Sequence, residues 1–117
     1  MAVPKATGHR FTYTDYRQWP GDERWELIDG VPYAMAPAPT IGHQTLTGQL
    51  FRQIDQALDG TPCRTLIAPV DVVLPAADES SDQATTVVQP DILVVCDPSK
   101  VGDDYIRGAP DWIIEVL

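Results

Sequence analysis

Residues 108–117 read GAPDWIIEVL, an apolar β-type stretch that carries one carboxylate near its end, Glu115. Side chains alternate along a strand, so Ile113, Glu115 and Leu117 share one face. A charged side chain in a half-buried strand costs free energy unless it is paired or holds a metal ion. Glu115 therefore either faces water or has a function.

A second strand-like stretch, PDILVVC at residues 90–96, carries a carboxylate at its head, Asp91. If this strand and the DWIIEVL strand are neighbours, Asp91 and Glu115 lie side by side near one end of a sheet. Two such carboxylates repel each other unless one is protonated or a divalent cation lies between them. The pair is therefore a candidate site for Mg²⁺ or Mn²⁺, which prefer hard oxygen ligands.

Two local patterns predict the elements that precede these strands. In RWELIDGVPYAMAP, the dipeptide Asp29-Gly30 is a strong hairpin signal, because both turn positions require positive φ, and Pro32 makes the second strand an edge strand. A main helix is predicted over residues 43–58, with Gly60 as its stop signal. The apolar side chains of this helix recur at helical spacing and are Leu46, Leu50, Phe51, Ile54 and Leu58.

The two remaining segments are a short helix and a loop. A helix capped by Thr14 is predicted within residues 11–19, and it carries Tyr16 and Trp19 onto the core. Residues 76–86, AADESSDQATT, are polar and poor in large apolar side chains, and we expect a loop of low order there.

The order of these elements predicts an α+β fold: a hairpin, one main helix, and then a meander of three strands from RTLIAPVDVVLP, VVQPDILVVC and DWIIEVL. A length of 117 residues is enough for one modest domain, so residues 1–117 are predicted to form a single domain. An apolar strand as the last segment leaves backbone groups unpaired, which favours a homodimer.

Composition and charge narrow the function classes. The net charge of -9 argues against a surface that coats nucleic acid, although a cleft can be locally basic or its acids neutralised by cations. Residues 1–10 carry no long apolar stretch, so we expect neither a signal peptide nor a membrane span, and a cytoplasmic protein. Cys63 and Cys96 lie far apart without a metal-binding motif, and we expect them to be reduced and buried.

The motifs resemble those of known nucleases. Pro90-Asp91 at the head of one strand and Glu115-Val116-Leu117 in the next, after a single helix, are similar to the PD-(D/E)XK nuclease core. Over residues 11–117, the chain resembles the Uma-two family of putative restriction endonucleases. The similar stretches, in the same order, are TYTDYRQW, RWELIDGVPYAMAPAPTIGHQ, PVDVVLP, QPDILVVCDP and GAPDWIIEVL.

This resemblance implies a restriction-endonuclease-like core and a set of site residues. Asp91 and Glu115 are implied to be catalytic, metal-binding acids, with the backbone carbonyl of Val116 as a third metal ligand. Glu26, in WELIDG, is a further candidate catalytic acid, and the alternative for it is a solvated cross-strand partner. The implied cofactor is Mg²⁺ or Mn²⁺, and the implied partner is DNA.

One departure from the superfamily pattern concerns its lysine, because position 117 is a leucine. The resemblance implies that the lysine comes from a helix after the EVL strand, where this sequence has already ended. We therefore expect a chain cut before a C-terminal helix and strand, and we expect the 117-residue chain alone to be inactive.

Several other residues have two interpretations. Asp71 is either a strand acid near the site or a solvated residue, and we leave it outside the site. For His43 and Gln44, a capping or local hydrogen-bonding role is preferred over metal binding. Three cations either contact phosphate or are surface charges: Arg52, Arg64 and Lys100. Five aromatic side chains are predicted to lie in the core rather than stack on bases: Tyr13, Tyr16, Trp19, Trp25 and Trp112.

Two functional hypotheses follow from the sequence. The first is a metal-dependent endonuclease that hydrolyses DNA phosphodiester bonds, as the resemblance implies. The second is a non-catalytic module that keeps the nuclease fold and acts through interaction or dimerisation, which the acidic charge and the absent lysine favour.

Overall fold

The computed structural model describes residues 8–36 and 38–117, which form two β-sheets and two α-helices. The helices are α1 (Tyr13–Tyr16) and α2 (Ile41–Ala57). The strands are β1 (Trp25–Ile28), β2 (Val31–Ala34), β3 (Arg64–Ile67), β4 (Asp71–Val73), β5 (Val87–Val88), β6 (Ile92–Val95), β7 (Tyr105–Arg107) and β8 (Trp112–Ile114). The α+β class predicted from the sequence is confirmed, and the arrangement is compatible with a restriction-endonuclease-like fold.

The strands divide between a five-stranded sheet, in the order β2-β1-β5-β4-β7, and a three-stranded sheet, in the order β3-β6-β8. Neighbouring strands are antiparallel except β4 and β7, which are parallel. The three-stranded sheet pairs the RTLI, ILVV and WII segments in the predicted order, but it is not a simple meander, because β4, β5 and β7 lie between these segments in the chain.

Two of the three predicted long strands are each divided between the sheets, which corrects the sequence prediction. RTLIAPVDVVLP forms β3 and β4, with a cis Ala68–Pro69 peptide between them. VVQPDILVVC forms β5 and β6, and the chain changes sheets at Gln89–Pro90. Proline lacks the N–H that a central strand needs, so each proline ends one ladder before the next begins. In addition, β7 lies between β6 and β8 in the chain, where the sequence patterns predicted no strand.

The hairpin of β1 and β2 has the predicted turn. Asp29 and Gly30 have φ values of 51° and 80°, and β2, which contains Pro32, is an edge strand of the five-stranded sheet. Gly30 is also required sterically, because a Cβ atom at this position would lie 2.7 Å from the Cβ atom of Arg10.

The helices agree with the sequence in position but differ in detail. Helix α2 begins at Ile41, after the cap Thr40, and it ends near the predicted Leu58. Helix α1 is shorter than predicted, and its cap is Thr12 rather than Thr14. The reason is that Asp15 accepts a hydrogen bond of 2.9 Å from the Thr12 N–H, as in a capping box.

The core lies on both faces of the five-stranded sheet. On one face, Leu27, Val73 and Val87 pack with buried Tyr13 of α1, and Tyr16 and Trp19 pack against this cluster as predicted. The other face meets the three-stranded sheet through four buried side chains: Val72, Leu93, Val95 and Ile106. The two sheets therefore pack face to face, with β4 buried on both sides.

Strand β6 is buried at all four positions, which fits its place at the centre of the three-stranded sheet. Helix α2 packs against the neighbouring β3. Trp112, by contrast, lies on the edge strand β8 and is 53% exposed, so its predicted place in the core is wrong. An edge strand has a ladder partner on only one side, which leaves its side chains accessible to water.

Two further predictions are corrected by long-range contacts. The loop expected at residues 76–86 is ordered, because Ala84 is fully buried and its carbonyl accepts a hydrogen bond of 2.9 Å from the Tyr13 N–H. Cys63 and Cys96 form a disulfide rather than remaining reduced. The register that pairs Arg64 with Val95 places the two cysteines opposite each other, one residue before β3 and one residue after β6.

Within the described ranges, no helix is both long and apolar enough to cross a membrane.

The packing between the sheets predicts a stability difference between two leucines. Leu93→Ala removes a fully buried side chain between the sheets and is expected to lower the free energy of unfolding by about 2–5 kcal/mol. Leu46→Ala, at a side chain that is 47% exposed on α2, is expected to change it by less than about 0.5 kcal/mol. Urea denaturation measures both, and similar losses would contradict the assignment of the core.

Candidate active site

The register between β6 and β8 brings two carboxylates together at one end of the three-stranded sheet. Ile92 pairs with Ile114, so the next pair beyond the ladder is Asp91 and Glu115. Alternation along each strand places both residues on the face that carries Leu93 and Ile113, another cross-strand pair. The sequence prediction that these two acids lie side by side is therefore confirmed in position.

Each of the two carboxylates is hydrogen-bonded to the backbone of the other strand. Oε1 of Glu115 accepts a hydrogen bond of 3.0 Å from the Asp91 N–H. Oδ2 of Asp91 accepts one of 2.8 Å from the Val116 N–H. These two bonds continue the strand pairing beyond the backbone ladder, and they hold both acids and the Val116 peptide in one place.

Helix α2 contributes His43 to the same site. The Nε2 atom of His43 lies 3.4 Å from Oδ2 of Asp91, and its Nδ1 atom lies 3.2 Å from Oε1 of Gln44. The backbone N–H of His43 is bound to the side chain of the cap residue Thr40 at 3.1 Å. The predicted local role of His43 is therefore correct for its backbone, but its side chain also reaches the site.

Glu26 approaches the pair from the five-stranded sheet. Its Oε2 atom accepts a hydrogen bond of 2.8 Å from the Gln89 N–H, two residues before Asp91. Glu26 is half-buried on β1 rather than fully solvated. This contact attaches β1 to the segment that leads into β6, so Glu26 lies beside the two acids.

Gln89 is the centre of a buried polar network behind the site. Its side chain is only 8% exposed, and its Nε2 atom donates to Tyr16 Oη at 2.7 Å and to Asp71 Oδ1 at 3.0 Å. The Tyr16 hydroxyl in turn lies 2.8 Å from the same Asp71 oxygen. Burial and the hydrogen bond to Asp71 raise the pKa of Tyr16, so its phenol stays protonated at neutral pH.

Asp71 therefore belongs to this supporting network. The sequence analysis left Asp71 outside the site. In the structure, its carboxylate accepts hydrogen bonds from Gln89 and Tyr16, so Asp71 is not a solvated surface residue. A buried polar network is favourable only when its members are satisfied, and here three side chains satisfy one another.

A cleft of about 600 Å³ opens beside the carboxylates. The polar residues in its wall include Arg24, His43, Gln44 and Asp91, and Val116 also lines it. The Nε atom of Arg24 donates a hydrogen bond of 2.9 Å to Oε1 of Gln89. Arg24 is thus the cation at this cleft, whereas sequence reasoning had considered three others.

Those three cations do not line the cleft. Arg52 lies on α2 and Arg64 on β3, and both are exposed. Lys100 donates from its Nζ atom to the carbonyl of Ala109 at 2.8 Å. Arg24 could have been found from alternation alone, because Arg24 and Glu26 are two residues apart at the start of a predicted strand and so share a face.

The acids of the site affect one another electrostatically. Partial desolvation raises the pKa of the Glu115 carboxyl, although the residue as a whole is exposed, and the charges of Asp91 and Glu26 raise it further. The hydrogen bond from the Asp91 N–H and the charge of His43 act in the opposite direction. Repulsion of this kind is relieved when a cation binds between the carboxylates.

The donor set fits a hard divalent cation that keeps part of its hydration. In residues 8–36 and 38–117, no three His, Cys, Asp or Glu side chains are grouped so that they could hold a metal ion. Mg²⁺, however, is commonly bound by one or two carboxylates, with water and substrate oxygens as the other ligands. Asp91 and Glu115 supply two such carboxylates beside an open cleft.

The site lies in a region of the chain that matches a known protein family. A family model, Uma2, with the description "Putative restriction endonuclease", matches residues 13–117. No curated protein matches the chain significantly. The matched region includes every residue of the carboxylate site and of its supporting network.

The raised pKa of Glu115 predicts how stability depends on pH. Because the folded-state pKa lies above the unfolded one, ionised Glu115 lowers the free energy of unfolding at neutral pH, and this penalty disappears as the pH falls below both values. Glu115→Gln removes the charge and keeps an oxygen acceptor for the Asp91 N–H. In metal-free buffer at neutral pH, it is expected to raise Tm slightly, because solvent screens most of the repulsion at this exposed residue.

Thermal melts over a pH series test this expectation. The gain from Glu115→Gln should vanish below about pH 4, where glutamate is protonated in the unfolded chain as well. The control is Glu23→Gln, which removes one charge from an exposed position. A gain for Glu115→Gln no larger than that of the control would contradict the repulsion.

Proposed function

The chain belongs to the Uma2 family of putative restriction endonucleases, and from this membership and the carboxylate site we propose that it is a metal-dependent endonuclease that hydrolyses DNA phosphodiester bonds. Membership in the PD-(D/E)XK superfamily is consistent with that family. The observation that carries the proposal is the Asp91–Glu115 pair, which is held by reciprocal hydrogen bonds and whose Asp91 lines an open cleft.

In this proposal, Asp91 and Glu115 hold Mg²⁺ or Mn²⁺, and the carbonyl of Val116 is a candidate third ligand. The cation supplies Lewis-acid polarisation of the phosphodiester and lowers the pKa of water. The Val116 N–H and His43 orient the Asp91 carboxylate, and the Asp91 N–H orients Glu115. Two fixed carboxylates need little rearrangement when a cation binds, which favours affinity.

Glu26 has a separate role in this proposal. Its Oε2 atom already accepts the Gln89 N–H, so it contributes negative charge near the site while it holds β1 against the segment before Asp91. This charge strengthens the local attraction for a cation. We assign Glu26 to the catalytic set as an acid that acts near the metal.

The substrate class follows from the family and from the type of metal site. A protein with a net charge of -9 binds a polyanion weakly unless bound cations or a local positive group offset the repulsion. Divalent cations at the carboxylates lower this repulsion where the phosphate would lie. We therefore propose that DNA binding depends on the metal and is favoured by low salt.

A second candidate function is a non-catalytic interaction or dimerisation module. The observation that favours it is strand β8, whose Trp112 and Ile113 are 53% and 43% exposed at the edge of the three-stranded sheet. An exposed apolar edge strand is a common site for pairing with another strand, for example in a homodimer. Cleavage assays separate this function from the first.

Metal binding is the first test. A cation that binds only the folded chain raises Tm, and at a concentration one hundred times its Kd it stabilises by about 2.7 kcal/mol. We expect Mg²⁺ and Mn²⁺ to produce such a shift, and Asp91→Asn to abolish it. Thermal melts measure the shift, with Asp22→Asn at an exposed position as the matched control. An equal shift in Asp91→Asn and in the control would place the metal elsewhere.

Cleavage is the second test. In a form of the protein that includes the lysine of the superfamily pattern, nicking of supercoiled plasmid at low salt is expected to require Mg²⁺ or Mn²⁺, and Glu115→Gln is expected to reduce its rate on the order of a hundredfold or more. The control Asp55→Asn, which removes one charge from an exposed position on α2, should nick at the wild-type rate. Nicking that needs no metal, or that Glu115→Gln leaves unchanged, contradicts the proposal. A complete absence of nicking by this lysine-containing form with either metal favours the interaction module.

A further inference from the structure

We propose that Arg24 is a phosphate-binding residue, which holds the backbone of the nucleic acid in the cleft beside Asp91 and Glu115. This inference rests on the proposed function, and it adds a contact to the substrate that the carboxylate pair by itself lacks. Three observations support it. Arg24 lines the cleft, its Nε atom is hydrogen-bonded to Gln89, and its two Nη atoms are available to a ligand.

Arg24 lies between two clefts and lines both of them. It lines the cleft of about 600 Å³ that also contains His43, Asp91 and Val116. It also lines an adjoining cleft of about 520 Å³ whose wall includes Trp19. In both clefts, Arg24 is accompanied by Pro69. A strand that extends from the carboxylates into the adjoining cleft would therefore pass Arg24.

The side chain of Arg24 is held at one nitrogen by a buried partner. Its Nε atom donates to Oε1 of Gln89 at 2.9 Å, and Gln89 is only 8% exposed. Gln89 is itself held through its Nε2 atom by Asp71 and Tyr16 and through its N–H by Glu26. An exposed arginine is normally free to adopt many rotamers, so this anchor orients its guanidinium before any ligand binds.

The terminal nitrogens of Arg24 remain available. In the part of the chain that the structure describes, neither Nη1 nor Nη2 of Arg24 makes a hydrogen bond or an ion pair, and the residue is exposed. A guanidinium with two free nitrogens is a planar fork, and this fork matches two oxygens of a phosphate. Arg24 is therefore held through its Nε atom, while its two Nη atoms can bind a phosphate.

Other basic residues are engaged elsewhere or lie outside the cleft. Arg10 and Arg17 form ion pairs with Asp29 and Asp82. Arg107 is bound to Ser81. Of the arginines and lysines that the structure describes, only Arg24 lines the cleft of the carboxylates.

The negative charge of the site requires a positive group that attracts phosphate, and Arg24 can supply it. Asp91, Glu115 and Glu26 all repel an approaching phosphate, and a cation at the carboxylates offsets only part of their charge. A fixed guanidinium at the same cleft supplies attraction where the phosphate must lie, and it also stabilises negative charge that develops on phosphate during cleavage. A protein with a net charge of -9 has few other means of achieving this.

The competing explanation is structural: Arg24 could serve only to satisfy Oε1 of the buried Gln89. That role predicts a change in stability and no specific change in affinity for nucleic acid. Measurements of binding therefore separate the two explanations, provided that the charge change is matched in a control.

The test measures binding of a short fluorescein-labelled DNA duplex by fluorescence anisotropy in Ca²⁺, a hard cation for oxygen ligands, at low salt. The variants are Arg24→Ala, Arg24→Lys and the control Arg52→Ala, which removes the same charge from an exposed position on α2. Loss of a charged bidentate contact is expected to weaken binding by about 10- to 100-fold in Arg24→Ala. Arg24→Lys should be intermediate, since lysine keeps the charge without the fork.

The affinity of each Arg24 variant for the duplex is compared with that of the control Arg52→Ala. Arg52→Ala is expected to bind within about twofold of wild type, as a distant charge is largely screened. Equal binding by Arg24→Ala and Arg52→Ala overturns the proposal, as does a wild-type chain that binds no duplex. If Arg24→Ala does not fold, Arg24→Lys decides: weaker binding than Arg52→Ala supports the contact, and equal binding overturns it.

The nicking assay keeps this inference separate from the proposed function. Specific loss of binding in Arg24→Ala, with no metal-dependent nicking by the form that includes the superfamily lysine, supports the phosphate contact and overturns the endonuclease. Metal-dependent nicking by wild type, with equal binding by Arg24→Ala and Arg52→Ala, supports the endonuclease and overturns the contact.

Discussion

The antiparallel register of β6 and β8 is the constraint on which the site depends. Ile92 opposite Ile114 determines that Asp91 meets Glu115, and a shift by one residue would move Glu115 to the other face of the sheet. The register is held by burial, since β6 has no exposed position. Beyond the last backbone pair, the two strands are joined by hydrogen bonds from backbone N–H groups to the two carboxylates. The same groups that end the sheet therefore form the site.

Gln89 connects this end of the small sheet to the large one. The chain leaves β5, passes Gln89 and Pro90, and enters β6 in the other sheet within a few residues. A buried amide at such a crossing costs free energy unless its donors and acceptor are all used. Gln89 uses them on Asp71, Tyr16 and Arg24, which come from three different parts of the chain. The crossing is thereby tied to β4, α1 and the start of β1, and the acids that follow it have a rigid support.

The site combines features that oppose stability with features that favour function. Acids from both sheets lie near one another, and their mutual repulsion contributes to the raised pKa of Glu115. Such an arrangement is less stable than an apolar one, and this is typical of residues selected for chemistry. The hydrogen bonds around the acids offset part of the cost, because a carboxylate that accepts N–H groups keeps some of the solvation that burial removes.

Much of this protein was predictable from the sequence, and the reason is that the signals are local. The turn at Asp29-Gly30, the helix that stops before Gly60, and the alternation that places Asp91 and Glu115 on matching faces all depend on residues a few positions apart. These patterns also established the α+β class and the order of the three-stranded sheet. The resemblance of the motifs identified the family, because its motifs recur in the same order along the chain.

The tertiary structure decided what depends on pairing between distant segments. It divided two long apolar runs between different sheets, exposed Trp112, joined Cys63 to Cys96, and buried Ala84 in a polar loop. It also brought Arg24 and His43 to the acids. None of these follows from local periodicity, because each is set by which strand lies beside which and in what register. That choice is made by the burial of the whole core, to which every strand contributes at once.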